Sequence, residues 1–331
     1  MSLFSNSSRE NPLNGIFLLV FALFLFSLQD IIIKYFSDQY SVLQIVFIRG
    51  AIAISLMWLV ARWISESKQL TSQKPYLALL RGLLGFCSYT TYYLAVASLP
   101  LAEVVAIVFT APLFVTAMSA LLLGEKVGLR RWSAVCAGFI GVLIIVGPSG
   151  EFASLAVILA FTASITYASQ TIITRYLGSH DTPLSIAFNA LIVFTWASAL
   201  LGLMMAGGFI SITSTHPSLV FFARDWVLPE TFDLALMIFL GFNGAIAFYC
   251  MSKAYCVAPA STIAPFEFTY VIWAVVFGYL LWSEIPRTTT LAGLFILIGS
   301  SIYIWDRERK LQPDQIEVQA LETTNLDHQK V

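Results

Sequence analysis

Long apolar runs separated by short polar intervals make up most of this chain. Ten runs approach the roughly 20 mainly apolar residues that a helix needs to cross about 30 Å of hydrocarbon. The first is too long for the apolar core of a signal peptide, and no small-residue cleavage site follows it, so we interpret it as a permanent span. The pattern predicts an all-α integral membrane protein. The approximate spans are 15–36, 44–64, 76–98, 101–123, 131–147, 153–176, 183–206, 232–254, 258–281 and 290–305.

The second half of the chain repeats the first. Residues 27–35 reappear as 168–176, a shift of 141 residues. From the third helix onward the shift is 159, as in these pairs: Gly82 with Gly241, Gly85 with Gly244, and Glu125 with Glu284. The difference, 159 − 141 = 18, is one insertion in the long loop 207–231. Because each half holds five spans, the second half must enter the membrane from the opposite face. We therefore expect two inverted five-helix repeats, the usual construction of a secondary transporter.

The distribution of Lys and Arg predicts the orientation of this bundle. Ten spans put both termini on one side. With the termini inside, inner segments hold thirteen of the 18 basic residues, outer loops hold Arg224 and Arg287, and three fall within spans. The bias predicts cytoplasmic termini and a multi-pass protein of the plasma (inner) membrane. The expected domains are a cytoplasmic segment 1–14, repeats 15–147 and 153–305, and a polar cytoplasmic tail 306–331.

Composition and charge exclude several classes of function. The chain is 58% hydrophobic and 11% charged, against about 25% charged in soluble domains. Its net charge of −1 argues against a nucleic-acid partner. His180, His216 and His328 lie in predicted loops or the tail, so no buried Ser-His dyad or histidine metal site is expected. No phosphate-cradling glycine loop is present. We predict no enzyme, no metal site and no cofactor.

Short motifs give the chain a family resemblance. Leu-Gly-Glu at 123–125 and Ser-Glu at 283–284 close the fourth helix of each half, and the next helices carry small residues at Ala134/Gly141 and Gly293/Ser300. Over about 15–305 these features resemble the drug/metabolite transporter superfamily, most closely its EamA-type members. The resemblance implies a carrier of small organic solutes such as amino acids, amines, nucleoside-like compounds or drugs. Ser283 departs from the glycine that is usual there.

A looser likeness concerns a subgroup of that superfamily. Asp30-x-x-x-Lys34-Tyr35, Phe47-x-Arg49 and Leu80-Arg81-Gly82-Leu83 are similar to the subgroup that includes S-adenosylmethionine carriers. This second resemblance implies an S-adenosylmethionine-type uptake carrier as one alternative within the same superfamily.

Ionisable residues deep in the spans are the main candidates for a solute site. A charge near the bilayer centre costs about 2.5–3.5 kcal/mol on insertion scales. Glu267 lies about 14 Å into its helix, and its repeat equivalent is Val108. Asp30, Arg49 and Arg81 are likewise specific to one half, because their repeat equivalents are Thr171, Ala190 and Leu240. The alternative for each is a packing pair or, for Arg81, snorkelling to the interface.

Pairing and bending of these helices are further expectations. Asp30 and Lys34 share a helix face at i, i+4, which favours mutual pairing, and Arg49 is the natural partner of Asp30. Snorkelling is the alternative for Lys34. Pro112 and Pro265 each remove a backbone hydrogen bond and can bend their helices. Pro265 precedes Glu267 by two residues, which makes that turn the best candidate for a gating point.

Polar and aromatic side chains complete the predicted site. Hydroxyls and amides converging from both halves suit a solute with a flat or cationic part. Simple helix packing is the alternative for each tyrosine. The predicted substrate-binding residues, with the charges above, are Asp30, Arg49, Arg81, Tyr89, Tyr92, Gln170, Asn189, Asn243, Glu267 and Tyr270.

These features favour a secondary transporter that moves a small organic metabolite across the lipid bilayer by alternating access. A channel or a non-transporting membrane scaffold is the alternative outside the carriers. Titration of Glu267 or Asp30 would couple proton movement to transport, and exchange of solutes is the other mode of coupling.

Overall fold

The structure, a computed structural model, describes residues 12–63, 70–111, 154–177, 180–257 and 269–296, with short stretches between 113 and 144 and at 266, 298–299 and 302–303. All regular secondary structure in these residues is helical. The helices are α1 (Pro12–Phe36), α2 (Val42–Trp63), α3 (Pro75–Val96), α4 (Leu101–Val108), α5 (Leu155–Leu177), α6 (Pro183–Ala206), α7 (Pro217–Ala223), α8 (Thr231–Val257) and α9 (Thr269–Trp282). Residues 288–296 are helical as well.

Five helices among the described residues are long and apolar enough to cross a membrane. They lie within α1, α2, α5, α6 and α8, and α9 is a shorter apolar helix of 14 residues. α3 is 22 residues long, but Arg81 and a series of Ser, Thr and Tyr residues dilute its apolar character. α3 is therefore the most polar of the long helices, and it supplies most of the side chains that meet Asp30.

The helices pack in a small set of pairs. α3 packs against α5, α1 against α8, and α2 against α6. α2 also contacts α8, and α3 also contacts α6. At the edge of this group, α9 packs against α1 and α4, and α4 packs against α5. Buried glycines allow close approach of these helices: a Cβ at Gly82 would lie 2.7 Å from Val193, and one at Gly241 would lie 2.6 Å from Ile52.

A turn interrupts the fourth predicted span. A single helix is expected over 101–123, but a turn follows Val108 at Phe109 and Thr110, after which the described residues 111, 113–114 and 117–118 are helical again. Pro112 has no N–H to donate to the Val108 carbonyl four residues back, so that carbonyl needs another donor. The Ser164 hydroxyl of α5 lies 3.4 Å from it, and Ser164 also contacts the Thr110 hydroxyl at 2.7 Å.

The loop between α6 and α8 contains a helix that the apolar pattern did not predict. α7 lies within the segment that we expected to be an irregular outer loop. Ser218 at its start donates to the Leu94 carbonyl at 2.6 Å. The Gln44 side chain donates to the Val227 carbonyl at 2.5 Å and accepts from the Val227 N–H at 3.2 Å. The insertion is thus bonded to the ends of α2 and α3.

Two carboxylates join the turns between helices to the starts of other helices. The Tyr40 hydroxyl, between α1 and α2, donates to Asp233 in the first turn of α8 at 2.5 Å. Asp181, between α5 and α6, accepts from the Ser72 hydroxyl and from the Gln73 N–H at 2.8 Å, just before α3. Burial and the Asp233 carboxylate raise the pKa of Tyr40, so its phenol stays protonated and donates at neutral pH.

Candidate functional site

Asp30 is the centre of a buried polar cluster that joins three helices. Its side chain is in the interior of α1 and is 2% exposed. One carboxylate oxygen accepts a hydrogen bond from Tyr92 of α3 at 2.9 Å and another from Tyr270 of α9. The two tyrosine hydroxyls lie 3.2 Å apart. Three of the predicted site residues therefore meet, and hydroxyl donors satisfy the buried carboxylate.

Lys34 does not pair with Asp30, as their i, i+4 spacing led us to expect. Lys34 forms an ion pair with Glu284 at 2.5 Å and lies over the Trp282 ring, 5.0 Å from its centroid. The second oxygen of Glu284 accepts from the Leu101 N–H at 3.1 Å. The expectation was wrong because α9 brings a carboxylate to Lys34 while α3 and α9 bring hydroxyls to Asp30. Glu284 thus binds one side chain and one backbone N–H.

Arg49 lies beside the Asp30 cluster without a direct ion pair to it. The guanidinium is over the Tyr89 ring, 4.3 Å from its centroid, and 5.8 Å from that of Tyr93. It interacts electrostatically with Asp30, yet in the described part of the chain no carboxylate is within 4 Å of it. Arg49 is thus a neighbour of Asp30 but not its ion-pair partner, because the tyrosine rings contact the guanidinium instead.

Gln29 and Tyr93 also belong to this cluster and were not predicted. The Gln29 amide donates to the hydroxyls of Tyr89 and Tyr93, at 2.7 Å for the latter. Both residues are almost wholly buried. The repeat held the missing signal for Gln29, because its equivalent 141 residues on is Gln170, which we had predicted. The predicted Tyr89 and Tyr92 are three residues apart and share one face of a helix, whereas Tyr93 directly follows Tyr92 and lies on a different face from it.

Arg81 and Gln170 lie along the α3–α5 contact instead of next to Asp30. The Arg81 guanidinium donates to the Thr174 hydroxyl at 2.7 Å and to the Ile186 carbonyl at 3.2 Å. Gln170 faces Gly85, where an added Cβ would lie 2.5 Å from its Oε1. These two predicted residues bridge α3 to α5 and α6, and the structure does not bring them into the Asp30 cluster.

The two predicted asparagines bind backbone carbonyls. Asn189 donates to the Leu70 carbonyl at 2.9 Å and to the Ser185 carbonyl at 2.8 Å, near the start of α6. Asn243 donates to the Leu25 carbonyl at 2.8 Å and so joins α8 to α1. Both contacts are those of packing residues. Glu267, Pro112 and Pro265 lie outside the described residues.

The cluster has the chemistry of a binding site. It combines one carboxylate, one guanidinium, four tyrosines and an amide within a few helical turns. In the described residues no group of His, Cys, Asp or Glu has the arrangement of a metal site. A carboxylate and aromatic faces bind cationic or flat groups, and a guanidinium binds oxyanions.

Comparison with known proteins gives the family. The model of the EamA-like transporter family matches residues 13–147 and again 154–305. The chain belongs to this family. It is therefore an integral membrane protein and a transporter of small molecules, not an enzyme.

Relatives of this protein are named after different transported compounds. A protein named S-adenosylmethionine uptake transporter, from Rickettsia prowazekii (strain Madrid E), is 26% identical over 95% of this chain and 100% of its own length. A protein named riboflavin transporter, from Vibrio cholerae serotype O1 (strain ATCC 39315 / El Tor Inaba N16961), is 29% identical over 92% and 97%. A protein named pseudopaline exporter, from Pseudomonas aeruginosa (strain UCBPP-PA14), is 26% identical over 87% and 95%.

A solved crystal structure shares the fold of the EamA-family chain. It aligns with a TM-score of 0.61 over 90% of this chain and 98% of its own, at 14% sequence identity. At this identity the match speaks for the fold alone.

Proposed function

We propose that this EamA-family protein is a secondary transporter of a small organic metabolite, with ten spans in two inverted repeats and cytoplasmic termini. The solute binds beside Asp30, and the two halves rock to expose it to either face. The observation that carries the proposal is the buried cluster of Asp30, Tyr92 and Tyr270. It joins helices of both halves, and none of the three residues recurs at its repeat-equivalent position.

The helix pairs support the inverted repeat. The repeat relates α1 to α5, α2 to α6 and α3 to α8. Under this exchange the α3–α5 contact becomes the α8–α1 contact, and α2–α8 becomes α6–α3. All these pairs pack in the structure. Five spans per half make such an exchange an axis in the membrane plane.

Contacts between single residues follow the same exchange. Gly82 packs on Val193, and their equivalents Gly241 and Ile52 also pack together. Gln170 faces Gly85 in the same way that Gln29 faces Gly244, where a Cβ would lie 3.4 Å from Gln29 Oε1. These equivalent close contacts support a pseudo-two-fold relation between the halves at atomic detail.

The site departs from this relation, as binding of an asymmetric solute requires. The repeat equivalents of Asp30, Arg49, Tyr89, Tyr92 and Tyr270 are Thr171, Ala190, Phe248, Met251 and Ala111. Nothing in the fold therefore demands a charged, hydroxyl-rich cluster at this place. A buried carboxylate is expensive in a membrane and is retained for function.

Ion pairs between the halves support a state that is closed on one face. Lys34 binds Glu284, and Glu103 lies 3.4 Å from Arg287. Both pairs join the first half to the second at the end of the bundle that the positive-inside bias places outside. Opening to that face would separate them.

The second candidate is narrower: an S-adenosylmethionine-type uptake carrier. The relatives that bear this name are one source of support. The other is the site, because a carboxylate among tyrosines suits a sulfonium or an amine, and the rings suit an adenine. Riboflavin is the comparison solute, because another relative bears its name and it has a flat ring without a positive charge.

Counterflow in proteoliposomes tests the proposal. Vesicles loaded with S-adenosylmethionine, with riboflavin, or with members of a metabolite panel are diluted into labelled solute. We expect saturable counterflow for at least one solute. Tyr270→Phe should lower it about tenfold or more, because a hydrogen bond to a charged group contributes about 1.5–3 kcal/mol. Tyr279→Phe is the matched control, since this tyrosine is on the same helix and is 57% exposed.

Three outcomes would contradict the proposal. Flux that does not saturate would indicate a channel. Absence of flux for the whole panel, with a folded protein, would indicate a scaffold. Equal counterflow for wild type, Tyr270→Phe and Asp30→Asn would show that the solute does not bind beside Asp30. The protein would still be a carrier.

A further inference from the structure

We propose that Arg49 is the binding group for an oxyanion of the solute, a carboxylate or a phosphate, so that the transported compound carries such a group. This inference rests on the proposed function, because it concerns the solute bound beside Asp30.

The first support is that Arg49 is a buried charge without a neutralising bond. Its side chain is 5% exposed, and Arg49 lies in the interior of α2, about two turns from its start at Val42. Removing a guanidinium from water is costly unless a counter-charge binds it. Among the described residues no carboxylate is within 4 Å of it. Asp30, with which Arg49 interacts electrostatically, already accepts the hydroxyls of Tyr92 and Tyr270.

The second support is the way in which the arginine is held. Tyr89 and Tyr93 lie against the guanidinium, whose carbon is 4.3 Å and 5.8 Å from their ring centroids, and both hydroxyls interact with it. A guanidinium has five N–H donors in a planar fork, so two hydroxyls leave donors for the oxygens of a carboxylate or phosphate. The two rings are fixed in turn, because the Gln29 amide donates to both of their hydroxyls. The aromatic neighbours of Arg49 are therefore in place before any solute arrives.

The third support is that the packing of α2 does not require this charge. The repeat equivalents of Arg49 and Tyr89 are Ala190 and Phe248, so the same place in the second half has neither the cation nor the phenol. α2 and α6 nevertheless pack against one another. An aromatic ring therefore recurs at this place in both halves, whereas the guanidinium and the phenol hydroxyl are specific to the first.

The competing explanation is that Arg49 only balances the charge of Asp30. The two groups are close enough to interact electrostatically. This explanation makes a different prediction: the Asp30→Asn/Arg49→Gln double variant, which loses both charges, should recover what each single variant loses.

The experiment compares compounds that differ only in an oxyanion. Purified full-length protein in detergent is titrated with S-adenosylmethionine and its decarboxylated form, with flavin mononucleotide and riboflavin, and with carboxylate metabolites and their methyl esters. Binding is read from thermal stabilisation. The first and third sets test a carboxylate, and the second tests a phosphate. We expect at least one oxyanion-bearing member to bind about tenfold or more tightly than its partner.

The variants locate that preference. Arg49→Gln should abolish the preference and leave the weaker compound of the pair bound as in wild type, whereas Arg49→Lys should keep part of it. Arg62→Gln is the matched control. Arg62 is on the same helix and also lies over an aromatic ring, Trp58 at 5.3 Å, but at the exposed helix end. Elution as a single monodisperse species shows that each variant is folded.

Several results would overturn the inference. One is a panel in which no oxyanion-bearing compound binds wild type better than its partner. Another is an unchanged preference in Arg49→Gln, or recovery of binding in the double variant. Binding with the expected preference but without counterflow would contradict the proposed transport and leave the oxyanion site in place, so the two proposals fail separately.

Discussion

At the scale of single residues, the repeat identified unusual positions better than it identified their partners. Asp30 and Arg49 were predicted because their equivalents are uncharged, and both lie in the buried cluster. Their partners were missed because spacing along one helix cannot show which neighbouring helix supplies a hydroxyl or a ring. Lys34 illustrates this point: its partner Glu284 is 250 residues away in the sequence.

Ser283 provides a prediction at this scale. It has a φ of 55°, a conformation in which a Cβ crowds the following carbonyl and glycine does not. The chain turns there so that the Glu284 N–H binds the Gly278 carbonyl at 3.1 Å. Ser283→Gly should stabilise the protein by about 1 kcal/mol, because it relieves the backbone strain. The greater conformational entropy that glycine gives to the unfolded chain offsets part of this gain.

The measurement is the unfolding midpoint in detergent, which should rise by about 2 °C. Gly208→Ala is the reciprocal control, because Gly208 has a φ of 74° with no atom within 4 Å of an added Cβ. That variant should lose stability through backbone strain alone. A lower midpoint for Ser283→Gly would show that the serine side chain contributes more than its backbone costs.

At the scale of helices, the apolar pattern predicted lengths well wherever a helix is apolar throughout. α1, α2, α5, α6 and α8 lie close to their predicted spans. The pattern was wrong where backbone chemistry decides. A turn at Phe109 and Thr110 interrupts the fourth span, and α7 forms inside an insertion that the pattern assigned to a loop. Contacts at helix ends therefore hold information that hydropathy lacks.

The contact of Lys34 with Glu284 gives a prediction about helices α1, α4 and α9. Glu284 binds both Lys34 and the Leu101 N–H. Glu284→Ala should therefore destabilise the protein more than Lys34→Ala does. In the double variant the Lys34 substitution should add little, with a coupling of about 1 kcal/mol, as for partly exposed ion pairs.

Thermal unfolding of the two single variants and the double variant measures this coupling. Lys253→Ala is the control, because Lys253 is exposed and lies over the Tyr249 ring at 5.6 Å. It should have a small effect. Additive losses in the double variant would mean that the ion pair contributes nothing beyond the separate side chains.

At the scale of the whole molecule, the duplication was readable from sequence because glycines and small residues recur at fixed shifts. The same glycines make the close helix contacts, which explains why they are retained in both halves. The convergence of α3, α1 and α9 on Asp30 was only partly readable, because it depends on how the helices cross. Of the predicted polar residues, Arg81, Gln170, Asn189 and Asn243 bridge helices elsewhere.

Accessibility of two equivalent helix ends tests the inverted arrangement. Trp63 ends α2 and is 90% exposed, and its repeat equivalent is Met204, close to Phe209, which is 83% exposed. Trp63→Cys and Phe209→Cys are made in a background without the four native cysteines. In right-side-out vesicles, an impermeant maleimide should label Phe209→Cys at once and Trp63→Cys only after permeabilisation.

The background protein without cysteines is the control for non-specific labelling. Labelling of both positions from the same face would rule out the inverted repeat. Labelling of Trp63→Cys alone from outside would keep the inversion and reverse the orientation.

The two carboxylates at the helix turns have a consequence for how the halves can assemble. Tyr40 and Asp181 are repeat equivalents with opposite roles. Tyr40 donates a hydrogen bond to Asp233, whereas Asp181 accepts one from the Gln73 N–H. If two copies of the second half met in antiparallel fashion, Asp181 of one would face Asp233 of the other, and like charges repel. Two copies of the first half would offer Tyr40 no carboxylate. The halves are thus matched to each other, and a homodimer of either would lack these bonds.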